Sequence, residues 1–179
     1  MRAFVAVEVP PPNAAPSARA APEHLTLLFL GEVPADDVGR IVAALGPVGS
    51  ALPPFDVTID GVGAFPSRER PRVVWVGATE GAEALTALAH RVREALSMPP
   101  DEGRREAFVP HLTLLRVRSP ADRRYADALL SGTASRPAPR RFRVTEFVLK
   151  ESVLSSRGAT HTVVAAFPLS GPAAPGRSG

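Results

Sequence analysis

At 179 residues, with 45% hydrophobic content and no cysteine, the chain is long enough for one domain or for two small halves sharing a core, while disulfides and thiolate chemistry are excluded. No apolar run is long enough to cross a bilayer, and the first residues lack the charged start and apolar stretch of a secretory signal, so a cytoplasmic protein is expected. The net charge is +3 and every basic residue but Lys150 is arginine, which suits bidentate phosphate binding but equally reflects the Arg, Ala, Gly and Pro bias of a GC-rich genome.

Taken in chain order, residues 2–9 alternate like a strand and stop at Pro10, Pro11 and Pro12. Residues 10–22 are rich in Pro, Ala and Ser and read as a loop. A strand is expected over residues 23–31. Pro34 then opens a helix, with Asp36 and Asp37 in its first turn and Val38, Ile41, Val42 and Leu45 on one face, ending near Leu45. Residues 55–60 alternate as a strand, followed by a Gly-rich turn, Phe65, and a polar loop holding Arg68 and Arg70. Residues 73–76 are apolar on both faces, as in a central strand. A helix over residues 81–98 carries Leu85, Leu88, Ala89, Val92 and Leu96 on one stripe. After a loop to residue 106, a strand is expected over 108–117, a short helix over 121–130, and strands over 142–150 and 160–167 separated by a Ser/Gly turn. The tail from Ser170, rich in Gly, Pro and Ser, is expected to be disordered.

One feature of this order carries chemistry. The string His-Leu-Thr-Leu-Leu occurs at His24 to Leu28 and again at His111 to Leu115, each time on an expected strand. Side chains on a strand alternate between faces, so His24 and Thr26 share one face, with Leu25 and Leu27 behind them. His111 and Thr113 stand in the same relation to Leu112 and Leu114. Strand, helix, strand, strand follows in both halves. The economical solution is therefore an α+β, bilobal, pseudo-two-fold duplicated fold: two mainly antiparallel sheets lining a central cleft, with helices outside. Residues 1–169 would form this single domain.

Two imidazoles and two hydroxyls around one small volume suit a phosphodiester. Histidine gives or takes a proton near neutrality, and the reaction needs one proton accepted from water and one supplied to the departing oxygen. Thr26 and Thr113 would donate to non-bridging phosphate oxygens. His90 lies off the apolar stripe of its helix and reads as a solvated residue. His161 has no repeat partner and is left out of the pair. Neither repeat has the spacing of a helix-borne zinc site, so neither a metal nor a cofactor is expected.

These segments resemble the two His-x-Thr motifs of the two-histidine phosphoesterase superfamily, and the chain is similar to its RNA 2′,3′-cyclic phosphodiesterases, also called 2′-5′ RNA ligases. The likeness covers about residues 2–169, including residues 2–9, 24–31, 63–67, 71–77 and 110–117. It implies metal-independent opening of a 2′,3′-cyclic phosphate on RNA to a 2′-phosphate, with reversible 2′-5′ joining in some members. By that carry-over His24 protonates the departing 3′ oxygen and His111 activates water, in a monomer. Phe29 and Arg116, five residues after their histidines, fall where similar proteins hold the nucleotide. Strict alternation would turn both away from the cleft, so a bulge or a side chain curling back is required. Two departures stand out: the Pro-rich residues 10–22 replace a helix of several turns, and Lys150 and His161 occupy places where similar proteins often show an aromatic. Two other readings share these features, a phosphodiesterase for another small cyclic or 2′-5′-linked nucleotide and a non-catalytic RNA-binding module.

Overall fold

The structure is a computed structural model that describes residues 1–11, 23–98, 108–155 and 158–172. The Pro-rich segment replacing a helix, the loop before the second repeat, the Ser/Gly turn and most of the tail therefore lie outside the described residues.

Among the described residues, eight strands and three α-helices follow one another along the chain. They are β1 (Arg2–Val9), β2 (Glu23–Glu32), α1 (Val38–Ala51), β3 (Phe55–Phe65), β4 (Val73–Glu80), α2 (Ala82–Ala95), β5 (His111–Arg116), α3 (Pro120–Ser131), β6 (Arg140–Val144), β7 (Glu146–Ser155) and β8 (Gly158–Pro168). The strands form one sheet in the order β6-β3-β4-β5-β2-β1-β7-β8, and the recorded pairings are antiparallel. Where two sheets were expected, two four-stranded halves meet in one. The two repeat strands are its innermost members, joined through the register pair Leu25–Leu112.

One face of this sheet is apolar and covered. Val5, Val7, Leu25, Leu112, Val76, Val57, Phe147 and Leu149 pack there with Leu45 of α1 and Leu85, Leu88 and Val92 of α2. Each such side chain contributes about 1.5–3 kcal/mol on leaving water. Ala126, Leu129 and Leu130 of α3 cover Val74 of the same face. With the helices behind, the opposite face is left for chemistry.

Three elements differ from the sequence reading. The helix expected to stop at Leu45 runs on to Ala51 with Pro47 inside it. A helix-interior proline costs about 3 kcal/mol. That cost is offset here by burial of Val48 and by Ser170 and Gly171, whose N–H groups donate to Gly49 and Leu52 at 3.1 and 2.9 Å. The first residues of the expected tail are thus tied down. The expected strand 142–150 is two strands broken at Thr145, β6 pairing with β3 in one half and β7 with β1 in the other. Finally, the Gly-rich turn after residue 60 continues β3: Gly61, at φ +75°, forms a bulge that only glycine adopts readily, and pairing with β4 resumes at Val62. The central place of β4 is as expected, and the helix expected over 121–130 is α3, which opens with a Ser119–Asp122 capping box. No helix among the described residues is long and apolar enough to cross a membrane.

Candidate active site

Because Leu25 and Leu112 lie opposite each other with their side chains in the core, the residues flanking them point to the open face. His24, Thr26, His111 and Thr113 therefore share that face on adjacent strands. Antiparallel register sets each histidine across from the other strand's threonine. The two histidines stand on the diagonal, at roughly 7–8 Å between backbones for an ideal ladder. The expected confrontation across a gap becomes a side-by-side arrangement on neighbouring strands.

The bulges required to bring Phe29 and Arg116 to this face are present. Opposite β1, Ala6 pairs with Thr26 and Val5 with Leu28, so Leu27 is the extra residue. Opposite β4, Trp75 pairs with Thr113 and Val74 with Leu115, so Leu114 is extra. Both bulges fall three residues after the histidine and reverse the parity of the strand beyond them. Phe29 then pairs with Phe4 and Arg116 with Val73, each on the histidine face. Phe29 is 58% exposed, with its ring 6.1 Å from that of Phe4.

Each histidine sits in a cage of rings. His111 meets Phe65 edge-on at 5.0 Å and Trp75 at 5.9 Å. Trp75 lies over Gly63, where a Cβ would come within 2.2 Å of the indole. Its Nε1 has no partner among the described residues, and the ring borders a cavity of about 760 Å³ reaching Phe108 and His90. His24 meets Phe4 at 4.9 Å and His161 edge-on at 5.0 Å. His161, for all that it lacks a repeat partner, thus takes the place at one pole that Phe65 takes at the other. His90 is exposed, as expected.

The two poles differ electrically. At the His111 pole the ring Nδ1 lies 2.7 Å from the Val109 carbonyl, to which it donates. Burial pushes this imidazole below its ordinary range, the Arg116 charge adds to the effect, and the Val109 bond opposes it. A neutral ring with Nδ1–H committed leaves Nε2 as a proton acceptor. At the His24 pole, Glu8 lies directly across from His24 on β1 and pairs with Lys150, which is completely buried. His161 is also held below its ordinary range, by burial and then by the Lys150 charge. Glu8 was not singled out in the sequence, although it is the one carboxylate of a strand otherwise apolar after Arg2.

Many of the described arginines serve structure. Arg68 donates to the carbonyls of Val62 and Leu130, Arg123 to Asp127 and the Glu69 carbonyl, and Arg141 and Arg143 pair with Asp56. Among the described residues no group of three or more His, Asp or Glu side chains is placed to hold a metal.

The sequence model of the 2′-5′ RNA ligase superfamily matches residues 8–153. The chain belongs to the 2′-5′ RNA ligase superfamily. Within it, the chain is 34% identical over 159 residues to the RNA 2′,3′-cyclic phosphodiesterase of Aquifex aeolicus, covering 83% of this chain and 78% of that one. It is 38% identical over 135 residues to the enzyme of that name from Archaeoglobus fulgidus, covering 75% and 73%. A crystal structure from Thermus thermophilus superposes with a TM-score of 0.68 at 29% identity, covering 96% of this chain and 99% of the other. Escherichia coli LigT complexed with 3′-AMP superposes with a TM-score of 0.66 at 28% identity, covering 94% and 97%. The α+β fold with its curled antiparallel sheet is thus that of the superfamily's solved structures.

Proposed function

We propose that this chain hydrolyses 2′,3′-cyclic phosphate ends of RNA to 2′-phosphates, with His24 and His111 as its acid–base pair. The observation that carries this reading is the shared face of the two His-x-Thr strands at the centre of the sheet, with both imidazoles caged and both hydroxyls beside them. The names of the relatives supply the substrate class.

The roles follow from the two environments. His111, neutral and oriented by Val109, takes a proton from water through Nε2. The water oxygen bonds to phosphorus as the bond from phosphorus to the 3′ oxygen breaks, and protonated His24 gives its proton to that oxygen. Thr26 and Thr113 donate to the non-bridging oxygens, where charge develops. Arg116 steadies the phosphate or its neighbour along the chain, and Phe29 offers an exposed ring for a base to stack on. With an RNA 5′-hydroxyl in place of water, the same groups acting in the same sense give 2′-5′ joining. All of these residues come from one chain, so a monomer suffices.

The test is an end-group assay on RNA ending in a 2′,3′-cyclic phosphate, beside nucleoside cyclic phosphates and 2′-5′ oligomers. A 2′-phosphate product, lost at least about 10²-fold in His24→Ala, is expected. Salt-sensitive RNA binding without turnover would overturn the reading in favour of a binding module.

A further inference from the structure

The fold is nearly symmetric about the two repeat strands, yet one pole is walled by Phe65 and Trp75 and the other by Glu8, Lys150 and His161. A fully buried lysine is costly unless paired, and two apolar side chains of similar volume would be cheaper to bury. The position of the pair is therefore informative. Glu8 lies across from His24 in register, so their Cβ atoms are about 4.5–5.5 Å apart on the open face. Its Oε1 is held by Lys150 Nζ, while the side chain keeps 37% of its exposure.

We propose that Glu8, anchored by buried Lys150, acts on His24 through its charge and favours the imidazolium that donates the proton. The proposal rests on the acid–base reading above and adds to it the group that makes one histidine the acid. His111 is oriented by a neutral backbone carbonyl, whereas His24 faces a carboxylate across the strand pair. Lys150 has two effects. It fixes the rotamer of Glu8, and it partly offsets the negative charge, so that His24 is not held as a permanent cation. The charged and titratable groups around His24 among the described residues are Glu8 on β1, Lys150 on β7, His161 on β8 and His111 on β5, with Phe4 as the apolar wall. Burial and then the Lys150 charge disfavour the protonated form of His161, so it competes less for the proton.

The coupling predicts opposite shifts in two variants. Lys150→Met removes the counter-charge and leaves the partly exposed Glu8 facing His24. Glu8→Gln/Lys150→Met removes both charges and leaves no buried ion unpaired. The chain has four histidines, so their ring signals can be followed individually by NMR without substrate. Relative to the parent, His24 should protonate at higher pH in Lys150→Met and at lower pH in the double variant, by about one unit each way, while His111 moves little. The alkaline limb of kcat/KM should follow these shifts, with kcat/KM at neutral pH falling at least about tenfold in the double variant and KM changing less. Unmoved His24 titration in folded variants would overturn the proposal and leave Glu8 and Lys150 as a structural pair. Absence of turnover in the parent would instead strike the functional reading, and the NMR shifts would still decide the coupling.

Discussion

Replacing His111 by Ala tests the site at the point where its geometry is best defined. The ring is held by the 2.7 Å bond to Val109 and by Phe65 and Trp75, so in its neutral form only Nε2 can accept a proton. General-base help is worth about 10²–10⁴ in rate, or about 2.7–5.4 kcal/mol of transition-state stabilisation at 1.36 kcal/mol per decade. The fold should tolerate the loss, because the ring is only half-buried on the open face. A change of about 1 kcal/mol moves the melting temperature of a chain this size by roughly 2–4 °C. Initial rates on a cyclic-phosphate-ended oligonucleotide, with melting curves alongside, measure both. The pH dependence adds a sign. Burial holds His111 below its ordinary value near 6.5, so the acid limb of kcat/KM should lie below pH 6.5 in the parent. The same shift bears on stability: below that pH the unfolded chain takes up a proton that the folded ring refuses. This contribution is therefore full above about pH 6.5 and is lost as pH falls toward the folded value, so acid should destabilise the parent more than His111→Ala. Turnover within about tenfold of the parent in a folded variant would refute the reasoning, as would an acid limb above pH 6.5.

Phe29→Ala should raise KM by roughly 5- to 150-fold, the equivalent of about 1–3 kcal/mol of base stacking, with kcat nearly unchanged; a fall in kcat at constant KM would remove Phe29 from the binding surface. Gly63→Ala places a methyl group within 2.2 Å of the Trp75 ring. The indole must swing aside, at about 1–3 kcal/mol, and the His111 cage with it, so melting temperature and turnover should fall together; normal values of both would show that the cage is dispensable. Turnover should survive exhaustive treatment with a strong chelator, and loss with rescue by one added metal would replace the two-histidine mechanism.

What was legible in the sequence depended on whether a feature is local. The two His-Leu-Thr-Leu-Leu segments declared themselves because period-two alternation puts imidazole and hydroxyl on one face whatever the strand pairs with. That they would lie side by side, bridged at Leu25–Leu112, is a matter of sheet order, which no local pattern encodes. The bulges at Leu27 and Leu114 were required by the parity of Phe29 and Arg116, but only the partner strands show where the extra residue falls. The break at Thr145 was hidden for a similar reason. Arg140–Val144 and Glu146–Ser155 are adjacent in sequence, both have strand character, and they serve opposite halves of the sheet. The extension of α1 past Leu45 was not legible because the burial of Val48 and the contacts of Ser170 and Gly171 that support it are not local.

His161 shows how the symmetry argument both guided and misled. Taken as a rule about sequence, it discards any histidine without a repeat copy. Taken as a rule about space, it pairs His161 with Phe65, since each meets a repeat histidine edge-on at 5.0 Å. A symmetric scaffold offers two equivalent imidazoles, but hydrolysis needs one to accept a proton while the other gives one away. Something outside the repeats must break the equivalence. At the His111 pole, burial among aromatic walls favours the neutral ring, and a backbone carbonyl fixes its orientation. At the His24 pole, a carboxylate stands in register across the strand, held by a lysine with no exposed surface. In the proposed mechanism, the residues that separate the two roles therefore lie outside the repeats themselves, on β1, β7 and β8 at one pole and on β3 and β4 at the other.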